Sequence, residues 1–297
     1  MRVFVTGASG WVGSEVSRQL IARGHEVVGL ARSDKSADIV SAAGAAVERG
    51  DLADLDLLAG AAKSADAVVH CGFIHDFSNF GHSVEVDKQA IEAMGAALSG
   101  SKRPLIVTSG TAGMAFGRPS TEEDAPNPDV YGGPARVSEQ VGLAQAEKGV
   151  RAAVVRLPPS VHGRGDHGFI ASLIGIARQK GVSAYVGNGE NVWPAVYRDD
   201  AAAVYVLALE SGVTHLRYHA VGDQGVPFRQ IAEVIGRKLG LPVRSVSPEE
   251  ATAHFGWMGN FAQFDVPASA ALTAKWLGWE PRGPGLIEDL ETGTYFG

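Results

Sequence analysis

The fold is decided by the stretch Val3-Phe4-Val5-Thr6-Gly7-Ala8-Ser9-Gly10-Trp11-Val12-Gly13 at the start of the chain. Its first three residues are typical of a buried β-strand, and residues 12–23 have the apolar periodicity of a helix. A strand, a Gly-rich turn and a helix in direct succession form the context in which such a motif binds a dinucleotide. Gly7 permits the tight turn, Gly10 lets a pyrophosphate approach the backbone, and Gly13 packs the helix closely on the strand. With the free amides of the helix N-terminus, the predicted pyrophosphate site consists of Gly7, Ser9, Gly10, Trp11, Val12 and Gly13.

Strands and helices continue to alternate through the first half of the chain. Further strands are predicted at 26–30, 46–48, 67–70, 105–108 and 153–155, and further helices at 36–43, 55–62, 84–98 and 135–148. The strands are rich in Val, Ile and Leu without polar alternation, which is typical of a parallel sheet covered on both faces. The sequence therefore predicts an α/β fold with a doubly wound parallel sheet of the Rossmann type.

A change of pattern after Arg156 predicts a second, smaller unit. Pro158-Pro159 and the Gly-rich segment 163–168 mark a crossing of the chain. Beyond it, helices are predicted at 169–180, 230–239 and 249–254, and strands at 183–186, 192–196 and 218–221. We expect a dinucleotide-binding domain over residues 1–157, to which residues 199–221 return. Residues 158–198 and 222–297 are expected to form a C-terminal mixed α/β lobe that binds the substrate.

Composition excludes several classes of function. The chain has 297 residues and a formal net charge of −7, which argues against a nucleic-acid partner because phosphate contacts need clustered Lys and Arg. No stretch approaches the ~18 apolar residues of a membrane span, so no membrane partner is expected. A single cysteine, Cys71, excludes an internal disulfide and fits a reducing compartment. We therefore expect a cytoplasmic protein.

The end of the second predicted strand bears on the choice of cofactor. The segment Val27-Val28-Gly29-Leu30-Ala31-Arg32-Ser33 lacks the acid that binds the ribose 2′-hydroxyl of NAD. Arg32 and Ser33 instead suit a 2′-phosphate, although Arg32 could also be a solvated surface residue and Asp34 lies nearby. The sequence therefore favours NADP as the cofactor, and NAD remains an alternative.

Later motifs follow the Gly-rich loop in a fixed order. They are Gly50-Asp51-Leu52, Asp66-Ala67-Val68-Val69-His70-Cys71-Gly72, Val107-Thr108-Ser109-Gly110-Thr111, Arg156-Leu157-Pro158-Pro159-Ser160-Val161-His162-Gly163 and Val196-Tyr197-Arg198-Asp199-Asp200. In this order they resemble the extended short-chain dehydrogenase/reductase family, in an atypical branch similar to NAD-dependent epimerases and dehydratases. The resemblance implies that the cofactor is also lined by Asp51, Leu52, Cys71, Gly72, Phe73, Pro158, Ser160 and Val161.

The resemblance also implies catalytic positions. Ser109 or Thr111 would hydrogen-bond a substrate carbonyl, the alternative being a strand-end hydroxyl that caps local backbone. Tyr131 stands at the tyrosine position of the family, but Ala135 replaces the lysine expected four residues later. That lysine would lower the pKa of the tyrosine and bind the nicotinamide ribose. Arg136, next in sequence, would lie about 100° away around a helix. If Tyr131 is misplaced, His162, which stands where the family has a tyrosine, is the next proton donor.

Aromatic and imidazole side chains on predicted loops and crossings of the chain are expected to line a substrate pocket, or else to pack between the lobes. They are His75, Phe77, His167, Phe169, Trp193 and Tyr197. A metal site is not favoured because the histidines lack a recognised ligand spacing.

These observations predict an NADP-dependent oxidoreductase that reduces a small ketone or aldehyde, or oxidises the matching alcohol. One alternative is a sugar-nucleotide epimerase or dehydratase that retains its cofactor. Another is a dinucleotide-sensing regulatory protein without chemistry, which the missing lysine favours. A homodimer that pairs through the helices at 84–98 and 135–148 is a further expectation.

Overall fold

The structure, a computed structural model, describes residues 1–76, 79–114, 117–127 and 136–296. The strands are β1 (Arg2–Thr6), β2 (Glu26–Ala31), β3 (Ala46–Arg49), β4 (Ala67–His70), β5 (Pro104–Gly110), β6 (Arg151–Leu157), β7 (Ser160–His162), β8 (Ser183–Val186), β9 (Val192–Tyr197), β10 (Arg217–His219), β11 (Asp223–Pro227) and β12 (Val243–Val246). The helices are α1 (Trp11–Ala22), α2 (Asp34–Ala42), α3 (Leu55–Lys63), α4 (Phe80–Leu98), α5 (Ser138–Ala144), α6 (Phe169–Lys180), α7 (Arg198–Glu210), α8 (Phe228–Leu239), α9 (Ala251–Phe255), α10 (Ala271–Leu277) and α11 (Leu286–Thr292).

Within the described residues, seven strands form a parallel sheet in the order β10-β6-β5-β4-β1-β2-β3. The order runs outward from β1 in both directions, so β1 lies where the direction of winding reverses. Open sheets of this type bind ligands outside the carboxyl ends of the strands at that point. The predicted doubly wound Rossmann fold is confirmed.

Both faces of the sheet are covered because successive residues of β1 point to opposite sides. Val3 and Val5 belong to the core that includes Val16 and Leu20 of α1. Phe4, between them, belongs to the opposite core with Leu58 of α3 and Ile91 of α4. An apolar strand without polar alternation is thus explained by burial on two faces.

The chain leaves this sheet after β6 and returns to it. α7 packs against α1, and β10 pairs in parallel with β6. The remaining described strands form the small sheets β11-β9-β7 and β12-β8. Their helices share a separate apolar core, whose members include Ile170, Trp193, Phe228 and Ile231.

A buried charge cluster ties β6 and β10 to α5. Arg156, which is fully buried, donates to both carboxylate oxygens of Glu139, from Nε at 2.7 Å and from Nη2 at 2.5 Å. Arg217 also donates to Glu139, at 2.6 Å, and Arg156 Nη1 lies 3.1 Å from His219 Nε2. A buried guanidinium needs such partners because unpaired buried charge is strongly destabilising.

Two features differ from the sequence-based expectations. The helix expected at 135–148 begins only at Ser138, and its last turn, Gln145–Lys148, is a 3₁₀ helix. The short elements β7, β11, β12, α10 and α11 were not expected, since three to seven residues are too few to show a period. None of the helices within the described ranges has both the length and the apolar character that a bilayer crossing requires.

Candidate functional site

The Gly-rich loop between β1 and α1 is built by close backbone approaches. Gly7 has a φ of +65°, and the Gly10 N–H donates to its carbonyl oxygen at 2.8 Å. A Cβ on Gly7 would lie 2.7 Å from the Cys71 carbonyl carbon, and one on Gly13 would lie 2.2 Å from the Gly7 oxygen. Only glycines therefore allow the loop to meet both β4 and α1.

The N-terminus of α1 has the donors that a pyrophosphate requires. Gly10 occupies the N-cap, and no side chain caps this helix end among the described residues. A helix without a side-chain cap leaves its first-turn N–H groups available to an anion, which the helix dipole also favours. The loop and the helix end thus fit the phosphates of a dinucleotide.

Basic and hydroxyl groups follow β2. Ser33 is the N-cap of α2 and accepts a hydrogen bond from the Ser36 amide at 3.2 Å. Asp34 is ion-paired with Arg49 of β3. Arg32 is exposed and forms no ion pair with a residue of the described ranges. The nearby acid is therefore already paired, and the Arg32 charge is open to a ligand.

The segments after β3 and β4 form the next wall of the site. The Gly72 N–H donates to Thr6 Oγ1 at 3.1 Å, and a Cβ on Gly72 would lie 3.1 Å from Leu52. The Asp51 carboxylate accepts from the Ala53 amide at 3.2 Å. Burial raises the pKa of the Cys71 thiol to about 12, so this cysteine is not a nucleophile at neutral pH.

A buried chain of hydrogen bonds joins the ends of β1 and β4 to α4 and to the start of α5. Thr6 Oγ1 lies 2.7 Å from His70 Nδ1, and His70 Nε2 lies 3.0 Å from Asp87 Oδ1. Ser138 donates to Asp87 Oδ2 and accepts from Arg136 Nε at 2.6 Å. Because a carboxylate only accepts, His70 donates to Asp87 from Nε2, and Nδ1 of a neutral ring then accepts the proton of Thr6 Oγ1.

Asp87 is the charged member of this chain. Burial raises the pKa of the Asp87 carboxyl, but hydrogen bonds from His70 and Ser138 and the nearby charge of Arg136 outweigh it. The pKa of Asp87 therefore lies below its ordinary value, and the carboxylate stays ionised although only 1% of the residue is exposed.

Both predicted carbonyl-binding hydroxyls lie at the carboxyl end of β5. Ser109 is buried and ends the strand with Gly110. Thr111 is fully buried, its N–H donates to the Leu157 carbonyl at 2.9 Å, and its hydroxyl has no hydrogen-bond partner among the described residues. An unpaired buried hydroxyl is a group that a ligand can satisfy.

Trp11 joins the Gly-rich loop to the segment that follows β6. Its Nε1 donates to the Val161 carbonyl at 2.8 Å, and the His167 ring meets it edge-on at 5.6 Å between centroids. The Arg198 guanidinium lies 4.4 Å from the centre of the Trp11 ring and donates to Ser14 at 2.8 Å. Ser160, on β7, is buried, and its hydroxyl has no partner within the described ranges.

Several predicted pocket residues instead lie in the interior. His162 is fully buried, with Nδ1 2.9 Å from Asp289 Oδ2. Trp193 is also fully buried, and its Nε1 donates to the Phe261 carbonyl at 3.1 Å. Because β9 alternates its side chains between two faces, Trp193 points into the core of the small sheets.

The other predicted pocket residues are divided among three places. Phe169 packs against Trp193 at 5.8 Å, and Tyr197 against His162 at 5.7 Å. The His75 ring meets Phe73 at 5.2 Å, next to the end of β4. Tyr131 and Phe77 lie outside the described residues.

Sequence reasoning missed Asp87 and set Arg136 aside because of its expected direction around a helix. Asp87 stands among the apolar residues of α4 that face the core, such as Ile91 and Met94. An acid in an apolar helical stripe is a sequence signal for a buried partner. Arg136 was assigned to a helix that begins only at Ser138. No group of three or more potential metal ligands occurs in the part of the chain that the structure describes.

Comparison with known proteins identifies relatives along most of the chain. The chain matches the NAD-dependent epimerase/dehydratase family over residues 3–221. It is 48% identical to an uncharacterized protein of Schizosaccharomyces pombe over 100% of both chains. It is 27% identical to the 2-alkyl-3-oxoalkanoate reductase of Stenotrophomonas maltophilia, over 82% of this chain and 77% of that enzyme. A dTDP-glucose 4,6-dehydratase of Streptomyces venezuelae, solved with NAD bound, shares the fold with a TM-score of 0.79 and 21% identity, over 98% of this chain and 95% of that one.

Proposed function

The chain belongs to the NAD-dependent epimerase/dehydratase family, and from this premise we propose that it is an NADP(H)-dependent oxidoreductase that reduces a small ketone or aldehyde. Two observations carry the proposal: the N-terminus of α1 has no side-chain cap, and the buried hydroxyl of Thr111, just after the carboxyl end of β5, has no hydrogen-bond partner among the described residues. The first suits the phosphates of the cofactor, and the second suits a carbonyl oxygen. A reductase among its relatives supports a reduction.

The 2′-phosphate of NADP would bind at the end of β2. Arg32 offers a charge that no described carboxylate neutralises, because Arg49 already binds Asp34. The N-terminus of α2, which begins after Ser33, adds the positive end of a helix dipole. NAD would leave both groups without a partner.

When bound, NADPH supplies the hydride. The first turn of α1 would hold its phosphates, beside the contact that Trp11 makes with the Val161 carbonyl. A hydroxyl of Ser109 or Thr111 would donate to the substrate carbonyl oxygen. Tyr131 stays our predicted proton donor.

A sugar-nucleotide substrate is less well supported. Its diphosphate would require convergent cations, and the arginines of the crossing region are Arg164, Arg178 and Arg198. Arg198 already stacks on Trp11 and donates to Ser14. A small carbonyl compound needs no such cations.

The first experiment is NADPH oxidation with aliphatic ketones, aryl ketones and keto esters, with NADH in parallel. We expect turnover with NADPH, and Tyr131→Phe should lower kcat/KM by about 100-fold or more, because a positioned acid contributes about that factor. Tyr185→Phe, on β8 and outside the site, is the matched control. If NADPH binds but no carbonyl consumes it, the reductase proposal is overturned and a cycle with retained cofactor takes its place.

A further inference from the structure

Arg136 lies beside Phe73, in the segment that follows β4, although Arg136 itself lies outside any helix. α5 begins at Ser138, so the offset of about 100° per helical residue does not set the direction of this side chain. Its Nε donates to Ser138 Oγ at 2.6 Å, and its guanidinium carbon lies 4.1 Å from the centre of the Phe73 ring. Hydrogen bond and cation–π contact together fix the plane of the guanidinium.

One donor of this guanidinium has no hydrogen-bond partner among the described residues. Arg136 Nη2 is buried and makes no hydrogen bond to a described residue. Its distance to Asp87 Oδ1 is 3.9 Å, which suits an ion pair but is too long for a hydrogen bond. Buried donors are almost always paired in native proteins, so this N–H is expected to meet a ligand.

The charge of Arg136 acts on the segment that follows β4. Desolvation, followed by the Arg136 charge, lowers the pKa of His75. The same charge favours the ionised form of Asp87 and opposes the rise that burial causes in the pKa of Cys71. The guanidinium is therefore the positive centre at the carboxyl end of β4.

The strand order indicates which half of a dinucleotide Arg136 meets. β1 carries the phosphate loop, β2 carries Arg32 on one side, and β4 lies on the other side of β1. If the adenosine 2′-phosphate lies over β2, the nicotinamide half extends over β4. Phe73 and Arg136 stand on that side.

We propose that Arg136 replaces the lysine absent at position 135, and that its Nη2 donates a hydrogen bond to the nicotinamide ribose. Asp87 is then a positioning residue, because its buried carboxylate orients Arg136 through Ser138. This inference rests on the dinucleotide of the proposed function. It does not depend on which carbonyl compound is reduced.

Binding without turnover tests the inference. We would measure Kd by calorimetry for NADPH and for adenosine 2′,5′-bisphosphate, which lacks the nicotinamide half. Arg136→Met should weaken NADPH binding by about tenfold and leave the bisphosphate within about twofold, as one charge-assisted hydrogen bond is lost. Arg136→Lys should restore part of the NADPH affinity. Arg229→Met is the matched control, because Arg229 also faces an aromatic ring, Tyr185, and pairs with Glu233.

A second variant distinguishes a lost contact with the cofactor from a general loss of folding. Arg136→Met leaves Asp87 without its cation, so Asp87→Asn with Arg136→Met removes both charges together. The double variant should show the same selective loss of NADPH affinity. Equal weakening of both ligands, or no weakening of either, would overturn the inference. Wild-type protein that binds NADPH but reduces no carbonyl would overturn only the proposed reaction.

Discussion

At the scale of single residues, our proposal makes Arg32 the residue on which the choice between NADPH and NADH depends. Arg32 is exposed at the end of β2, while the neighbouring acid, Asp34, forms an ion pair with Arg49. A charge-assisted hydrogen bond to a 2′-phosphate contributes about 1.5–3 kcal/mol. Arg32→Ala should therefore raise the Kd of NADPH by about 10- to 100-fold and leave that of NADH nearly unchanged.

Calorimetric titration of both cofactors checks this expectation. Arg23→Ala is the control, since Arg23 is an exposed arginine at the opposite end of α1 and pairs with Glu210. An equal loss for NADPH and NADH would show that Arg32 does not contact the 2′-phosphate. Unchanged Kd values for both cofactors would favour the alternative that Arg32 is a solvated surface residue.

At the scale of elements, the close packing of α1 on the Gly-rich loop depends on Gly13. A Cβ there would lie 2.2 Å from the Gly7 carbonyl oxygen, a backbone atom that cannot move without opening the loop. Gly13→Ala should lower the free energy of unfolding by about 1–3 kcal/mol, the usual cost of overpacking. It should also abolish measurable NADPH binding.

Gly175→Ala tests a glycine on another helix where an added Cβ would have free space. Gly175 lies within α6, and a Cβ there meets no atom within 4 Å. The substitution should stabilise the protein by about 0.5–1 kcal/mol, because alanine loses less backbone entropy in a helix. Urea unfolding of both variants measures the contrast. Equal effects would show that crowding does not limit position 13.

At the scale of the whole molecule, the buried cluster around Arg156 makes stability depend on pH. His219 Nε2 faces Arg156 Nη1 at 3.1 Å, and Nδ1 lies 2.8 Å from the Ser269 carbonyl oxygen. Because arginine only donates, the ring is neutral with its proton on Nδ1. Burial, followed by the Arg156 charge, lowers the pKa of His219 to about 3.

The direction of the pH dependence follows from that shift. Between the ordinary histidine pKa of about 6.5 and about 3, the unfolded chain binds a proton that the folded protein excludes. The free energy of unfolding should therefore fall by about 1.4 kcal/mol per pH unit from this group as the pH falls. His219→Gln, which can still accept from Arg156 and donate to Ser269, should remove that slope.

Urea unfolding at stepped pH checks the prediction. His82→Gln, which removes an exposed histidine of α4, is the control and should keep the slope. A slope that persists in His219→Gln would assign the acid sensitivity to the carboxylates instead.

The sequence by itself determined the fold class and the place of the Gly-rich loop. Strand, glycines and helix adjoin in the chain, and local sterics and hydrophobic period act over that range. The seven-stranded parallel sheet confirmed the resulting fold prediction. The helix α6 was also predicted with its observed ends, because its apolar period spans twelve residues.

Only the tertiary structure decided which polar groups meet. Asp87, Ser138 and Arg136 come from α4, the start of α5 and the residues before it, and no local pattern encodes their contact. Tertiary packing also placed Trp193 and His162 in the interior, although the sequence analysis expected Trp193 in a substrate pocket and His162 as a proton donor. Contacts between residues far apart in sequence form through packing of whole elements, so they could not be deduced from spacing along the chain.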